Sequence, residues 1–298
     1  AARGIGCSKV VSFGNGLDLD AVELLDYFGS DPETGVVGAY LEGTGRGGGL
    51  AKVAREVARR KPLVVLKGGS TLAGAETAAS HTGSLAVSDT VWSAALRQAG
   101  ATRVSSMEEM ADALLAFQYL GPIPGSRVAL ITGLAAGGGG DSVSGADICL
   151  HHGLQVPPFA PHTLGRLEAL LGRMGSILRN PLDPSQRQTD SQVMAEVMAA
   201  VAADPNTDIM VVEEHMGLMV QFHPPERIQA INHIFFALKR KMGKPVVMVL
   251  PPGLAEEARQ EQAQECQHAG IPVFPSIESA ARALSHLSQY YLRQHPSQ

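Results

Sequence analysis

Aromatic side chains are scarce in this chain, at 5% of 298 residues with a single tryptophan. That is too few for a platform on which successive bases stack. Cysteine is scarcer still. Cys7, Cys149 and Cys266 are odd in number and far apart, which excludes a disulfide framework and a paired-cysteine metal site. They read as reduced thiols of a cytoplasmic protein. Long apolar runs are missing too: no stretch approaches the roughly 20 residues that span a bilayer. The start, Ala1-Ala2-Arg3-Gly4, has no signal-peptide pattern, and neither end carries a lipidation box. A membrane is therefore not an expected partner. The net charge of −5 and the scattered cations argue against nucleic acid as well. The two basic clusters, Arg59-Arg60-Lys61 and Lys239-Arg240-Lys241, close predicted helices, where cations suit the helix dipole. No metal site is expected: His215 follows Glu213-Glu214 and His223 precedes Pro224-Pro225, without the i, i+4 pairing of a helical zinc site.

Glycine, by contrast, is abundant at 33 residues, and short β-branched runs alternate with longer amphipathic ones. That alternation predicts βα units and parallel sheets. The first half yields strands at Ser8–Phe13, Val36–Leu41, Leu63–Leu66 and Thr102–Val104, with helices at Leu19–Phe28, Leu50–Arg60, Asp89–Ala99 and Met107–Leu120. The second yields strands at Val128–Thr132, Leu154–Pro158, Asp208–Glu213, Pro245–Leu250 and Pro272–Pro275. Its helices begin near Asp141, Pro161, Ser191, Pro225 and Leu254, and a last one runs from Ile277 to Gln294. Runs such as Ile209-Met210-Val211-Val212 are apolar without alternation, so both faces of the sheet must be covered. The fold class is α/β, with two flavodoxin-like, three-layer αβα domains divided at the Pro/Gly linker 121–125: residues 1–121 and 122–298. Ala1-Ala2-Arg3-Gly4 reads as a helix end with a glycine cap, so the first domain is expected to lack its N-terminal βα unit.

Chemistry-bearing residues gather after strands, where open α/β sheets bind ligands. Ala79-Ser80-His81-Thr82-Gly83-Ser84 puts one histidine among hydroxyls and a glycine, in a loop after the strand that ends at Leu66 with Lys67 behind it. A neutral imidazole is well populated near its reference pKa of about 6.5 and can attack phosphorus, and Ser80, Thr82 and the Gly83 amide could then hold the phosphoryl oxygens. Glu42 closes the preceding strand at the same edge. A carboxylate accepting from Nδ1–H would leave Nε2 as the nucleophile; a solvated strand-end glutamate is the other reading. Gly6-Cys7-Ser8-Lys9 offers amides, a hydroxyl and a cation, or simply a turn. Gly137, Gly138, Gly139 and Gly140 precede a helix and can present amides to an anion, with Asp141 competing for those amides at the cap. Lys67, Asn180 and Asp183 lie at strand edges where ligand and turn roles are both open.

These residues resemble the NDP-forming acyl-CoA synthetases, relatives of succinyl-CoA synthetase. The resemblance rests on Gly4-Ile5-Gly6-Cys7-Ser8-Lys9, Ser12-Phe13-Gly14-Asn15, Asp31-Pro32-Glu33-Thr34, Tyr40-Leu41-Glu42-Gly43, Lys61-Pro62, Lys67 and Ser80-His81-Thr82-Gly83-Ser84. Asn180-Pro181-Leu182-Asp183, Gly243-Lys244-Pro245-Val246 and Gly270-Ile271-Pro272-Val273-Phe274 extend it to the second domain. It implies an acid–thiol ligase that passes a phosphoryl group through His81, oriented by Glu42. Two helix N-termini, matching the Gly6–Lys9 region and the Gly137–Gly140 loop, would face the phosphohistidine. CoA, ATP or ADP and Mg2+ are implied for a complete enzyme, none of them held by this chain alone. The implied partners are a carboxylic acid, a CoA-binding Rossmann domain and an ATP-grasp domain, and a homo-oligomer is compatible with them. The alternatives are a non-catalytic ligase-like module that senses CoA or acyl-CoA or serves as a scaffold, and a flavodoxin-like flavin binder.

Overall fold

The computed structural model describes residues 3–14, 16, 18–43, 47–82, 88–134, 139–172, 177–184, 191–242 and 244–294. The chain packs as two compact units, Ala1–Gln118 with Gln289–Gln298, and Tyr119–Ser288. The division expected at 121/122 did not anticipate that the C-terminal residues count with the first unit. There the Tyr290 hydroxyl and the Gln294 amide both donate to the Ala58 carbonyl.

The first unit runs α1 (Ala21–Ser30), β1 (Val37–Leu41), α2 (Gly47–Arg60), β2 (Leu63–Lys67), α3 (Leu72–Thr82), α4 (Asp89–Ala99), β3 (Thr102–Val104) and α5 (Met107–Leu120). The three strands are parallel in the order β1-β2-β3, with Leu41 opposite Lys67. Asp20 caps α1 in a capping box with Glu23, which satisfies two otherwise orphaned amides. At the other end of α1, the Lys61 ammonium donates to the Phe28 and Asp31 carbonyls. Every residue of β2 is buried, as a central strand covered on both faces requires.

The second unit runs β4 (Val128–Ile131), α6 (Gly139–His151), α7 (Pro161–Leu171), β5 (Ile177–Leu178), β6 (Leu182–Asp183), α8 (Ser191–Ala203), β7 (Ile209–Glu213), α9 (Met216–Phe222), α10 (Pro225–Met242), β8 (Val246–Val249), α11 (Glu256–His268), β9 (Val273–Phe274) and most of α12 (Ile277–Gln294), whose residues from Gln289 on count with the first unit. Its sheet order is β5-β6-β4-β7-β8-β9. All pairs are parallel except β5 with β6, which is antiparallel. Six strands are buried at every residue: β2, β4, β6, β7, β8 and β9.

Several sequence expectations are corrected. Ser8–Phe13 forms no strand; it lies exposed, with Val10 82% and Val11 50% accessible. A β-branched run becomes a strand only when a neighbour pairs with it. Leu154–Pro158 contributes one bridge, Gln155 to Arg127, because the place beside β4 is taken by β6. The Asn180 side chain stitches that margin, accepting from the Leu130 amide at 3.0 Å and donating to the Val128 and Pro157 carbonyls. Two helices went unforeseen, α3 and α9. In α3 the alanine-rich run after Thr71 has strong helix propensity, and the Thr71 hydroxyl caps it by accepting from the Gly74 amide.

A half-buried ion pair ties the start of β4 to the start of β7. Arg127 grips Asp208 through Nε at 2.9 Å, Nη2 at 2.7 Å and its own amide at 3.0 Å. Burial would push the Asp208 carboxyl up, but the hydrogen bonds from Arg127 outweigh it and hold the carboxyl below the usual range. Replacing Arg127 by Met should cost about 1–2 kcal/mol, less than a fully buried pair because the guanidinium is partly solvated. Because the Asp208 pKa is depressed, this contribution is present above the unfolded value of about 4 and is lost as pH falls through the folded value. Urea midpoints of the two proteins should therefore differ fully at pH 6 and converge in acid. Thiol labelling gives a second check. Cys149 and Cys266 are buried and Cys7 is exposed; burial pushes the Cys149 thiol up to about 12 and raises the Cys266 thiol as well. Thiolate is the reactive form, so alkylation of the native chain should stop at Cys7, and all three should react in denaturant.

Candidate functional site

Parallel pairing of β1 with β2 brings the ends of both strands to one edge. Glu42 follows β1 directly, and Gly68-Gly69 follow β2. The Tyr40 hydroxyl donates to Glu42 Oε1 at 3.2 Å; burial and that carboxylate raise the Tyr40 pKa. Gly68 sits hard against this pair: a Cβ there would lie 2.5 Å from the Tyr40 hydroxyl oxygen and 3.2 Å from Glu42 Cγ. Gly69 has φ +69, and a Cβ on it would meet Gly74, Ala75 and Ala78 within 3.3 Å. Helix α3 therefore packs its Gly74/Ala75/Ala78 face onto the turn that touches Glu42. His81 is three residues beyond Ala78, one turn along that helix.

This corrects the expected loop. His81 and Thr82 form the last turn of α3, nine residues and about 14 Å of helix rise from Leu72. Ser80 is exposed, and its hydroxyl donates to the Glu76 carbonyl at 2.9 Å, a bond internal to the helix. Gly83 lies outside the described residues.

Lys67 is buried at 7% exposure under this turn. Its ammonium donates to the Gly68 and Gly69 carbonyls and lies 5.9 Å from the centre of the Trp92 ring. Burial lowers its pKa, partly offset by Asp89. Its role is to clamp the β2–α3 turn and so hold Gly68 against Glu42.

The Gly6–Lys9 segment differs from expectation. It is irregular, with a bend at Ser8, and is not a helix N-terminus, since α1 starts only at Ala21. The Gly6 amide donates to the Gln118 side chain at 3.0 Å, and Cys7 is exposed. The Ser8 hydroxyl is 3.4 Å from that of Thr34. The Lys9 ammonium donates to Glu33 at 2.5 Å and Asp31 at 2.9 Å, and these two carboxylates raise its pKa. Asp31, lowered by hydrogen bonds from Thr34 and Lys9, thus makes Asp31-Pro32-Glu33-Thr34 the partner of this lysine. The cation assigned to phosphate is engaged by acids.

In the second unit, Gly139 and Gly140 open α6 after β4, at the carboxyl edge of the sheet as expected; Gly137 and Gly138 lie outside the described residues. Asp141, in that first turn, faces the end of β7. Among the described residues, Asp141, Glu213 and His215 bring one ligand atom each within 4.8 Å of one another. His215 Nε2 is 3.3 Å from Asp141 Oδ2 and 3.8 Å from Glu213 Oε2. Burial, reinforced by Asp141, pushes the Glu213 carboxyl up to about 7. Glu214, next along the chain, is 1% exposed. Burial pushes it to about 7 as well, and it accepts from Gln262 at 3.4 Å. Sequence reasoning passed over the cluster because 72 residues separate Asp141 from Glu213. Only the pairing of β4 with β7, Ile131 opposite Val212, closes that gap. Asn180 and Asp183 belong to the sheet margin, with Asp183 buried in β6.

Comparison with known proteins agrees with this architecture. Residues 1–117 match the succinyl-CoA ligase like flavodoxin domain. The chain is 32% identical over 292 residues to the alpha subunit of acetate–CoA ligase [ADP-forming] II of Pyrococcus furiosus, with 96% of this chain and 60% of that subunit covered. It is 33% identical to acetate–CoA ligase [ADP-forming] I of Archaeoglobus fulgidus, covering 97% of this chain and 39% of that protein. In structure it superposes on a dinucleotide forming acetyl-coenzyme A synthetase 1 of Ca. Korarchaeum cryptofilum, solved with phosphate and ADP. The TM-score is 0.82 at 29% identity, with 98% of this chain and 61% of that one covered. The chain thus spans no more than about three fifths of these relatives. With the ordered motifs around Glu42 and His81 carried on a matching fold, the chain belongs to the NDP-forming acyl-CoA synthetase family, the relatives of succinyl-CoA synthetase.

Proposed function

We propose that this chain is the phosphohistidine-carrying core of an acid–thiol ligase. In the direction of ATP synthesis, a phosphate oxygen attacks the acyl carbonyl of an acyl-CoA and the CoA thiolate leaves, giving an acyl phosphate. An imidazole nitrogen of His81 attacks phosphorus, and the carboxylate leaves. A β-phosphate oxygen of ADP then takes the phosphoryl group, which restores the free imidazole and releases ATP. The reverse sequence activates the acid.

The carrying observation is the stack Glu42–Gly68–Gly69–Ala78, which runs from a strand-end carboxylate to the helix face one turn before His81. Two glycines without side chains allow that approach, and Lys67 clamps the turn from below. A carboxylate beside the imidazole would hold one tautomer and offset the positive ring of the phosphorylated form. Within the second unit, the head of α6 at Gly139-Gly140 has backbone amides able to bind an anion. Ser80 and Lys9 contribute less to this reading than their types suggest, since their polar atoms are already bonded within the chain. Nucleotide with its Mg2+, and the CoA thiol, would be bound by ATP-grasp and Rossmann domains, whether on the same polypeptide or on a partner subunit. The setting would be cytoplasmic, with reduced thiols; no helix among the described residues is long and apolar enough to cross a membrane.

Incubation of the assembled enzyme with γ-labelled ATP should put acid-labile, base-stable label on this chain. In His81→Asn that label should vanish. Its persistence there would reject the assignment, and binding of acyl-CoA with no label in the intact assembly would favour a sensing module. Glu42→Gln should still fold and bind substrate but phosphorylate about 10- to 1,000-fold more slowly, the range for a lost orienting or electrostatic partner. A single-turnover rate measures this directly.

A further inference from the structure

The cluster at the end of β7 is not needed by the phosphoryl-transfer scheme, yet it gathers two buried polar atoms without hydrogen-bond partners. Glu213 is 5% exposed, and its Oε2 has no hydrogen-bond partner. His215 Nε2 is also buried without one: it lies 3.3 Å from Asp141 Oδ2 but is not aligned for a hydrogen bond. His215 is the N-cap of α9, and its imidazole makes no capping bond. Three lone-pair donors thus converge on one point, and two of them leave buried atoms unsatisfied. Such atoms cost free energy unless a partner arrives.

We propose that Asp141, Glu213 and His215 form a binding site for a divalent transition-metal ion. Two atoms each about 2.1 Å from one ion lie at most about 4.2 Å apart. The His215–Asp141 and His215–Glu213 separations of 3.3 and 3.8 Å already meet that limit. The third pair, within 4.8 Å, needs to close by at most about 0.6 Å. Asp141 is free to make that adjustment, its side chain being 45% exposed. One imidazole nitrogen with two carboxylates favours Zn2+, Mn2+ or Co2+ over Mg2+, which prefers oxygen ligands and retained waters. The partly exposed Asp141 and His215 provide an entry path, while the buried Glu213 supplies an oxygen that no protein group bonds. Three protein ligands leave positions for water or an oxyanion. The site requires nothing of His81 or Glu42.

Calorimetric titration of the full chain with Zn2+ alone, and separately with Mg2+ alone, tests this. One Zn2+ per chain is expected, at micromolar affinity or tighter, with Mg2+ at least about 100-fold weaker. Glu213→Gln and His215→Gln should each weaken Zn2+ binding by at least about tenfold. Their melting temperatures without metal should equal or exceed that of the parent, and the rise in melting temperature that Zn2+ gives the parent should be lost. Zn2+ binding undiminished in both substitutions would assign it to other histidines and overturn the proposal. So would the absence of any Zn2+ heat or melting shift in the parent.

Discussion

Burial of both faces of the parallel strands is the constraint from which the other features follow. β2, β4, β7 and β8 are buried along their lengths, so no polar side chain can act from the middle of either sheet without losing its hydration. Chemistry is pushed to the strand ends, and parallel pairing gathers those ends on one edge. Glu42 after β1, Lys67 at the end of β2 and Glu213 at the end of β7 each occupy such a position. They differ in how their charge is met. Lys67 is answered by two carbonyls and an indole ring, and Glu42 by a tyrosine hydroxyl. Glu213 has one oxygen that nothing answers.

The glycines around these ends have separate physical duties. Gly68 is small because Tyr40 and Glu42 already fill the space beside it, whereas Gly69 adopts φ +69 and lets α3 fold onto the turn. Gly139 and Gly140 have open space where a Cβ would stand, so packing does not demand them. Their value at the head of α6 is access to backbone amides. Similar-looking runs of glycine in a sequence therefore encode close packing at one place and openness at another.

Charge pairing likewise separates scaffold from site. Asp31 and Glu33 bind Lys9, and Asp208 binds Arg127. In each case a carboxylate that looks free in the sequence holds a segment in position. By contrast, Asp141, Glu213 and His215 are close without forming hydrogen bonds to one another, and that geometry calls for an ion rather than a contact.

Much of this was legible before the structure. The strands expected at Leu63–Leu66, Val128–Thr132 and Asp208–Glu213 follow from unbroken apolar, β-branched runs, and the helices Met107–Leu120 and Ile277–Gln294 from amphipathic periodicity, because burial marks composition locally. The ordered motifs identified the family, since each sits in a contiguous stretch. Helix α3 was obscured by its polar residues, read as a loop although its alanines favour a helix. Ser8–Phe13 has strand-like composition, but a strand also needs a partner, and pairing is not written in the segment itself. The engagement of Lys9 by Asp31 and Glu33, the contact of Gly68 with Glu42, and the meeting of Asp141 with Glu213 and His215 were decided by tertiary structure. Each joins positions distant in the chain, and their proximity arises only when hydrogen-bond registry between parallel strands brings separate loops to a common edge.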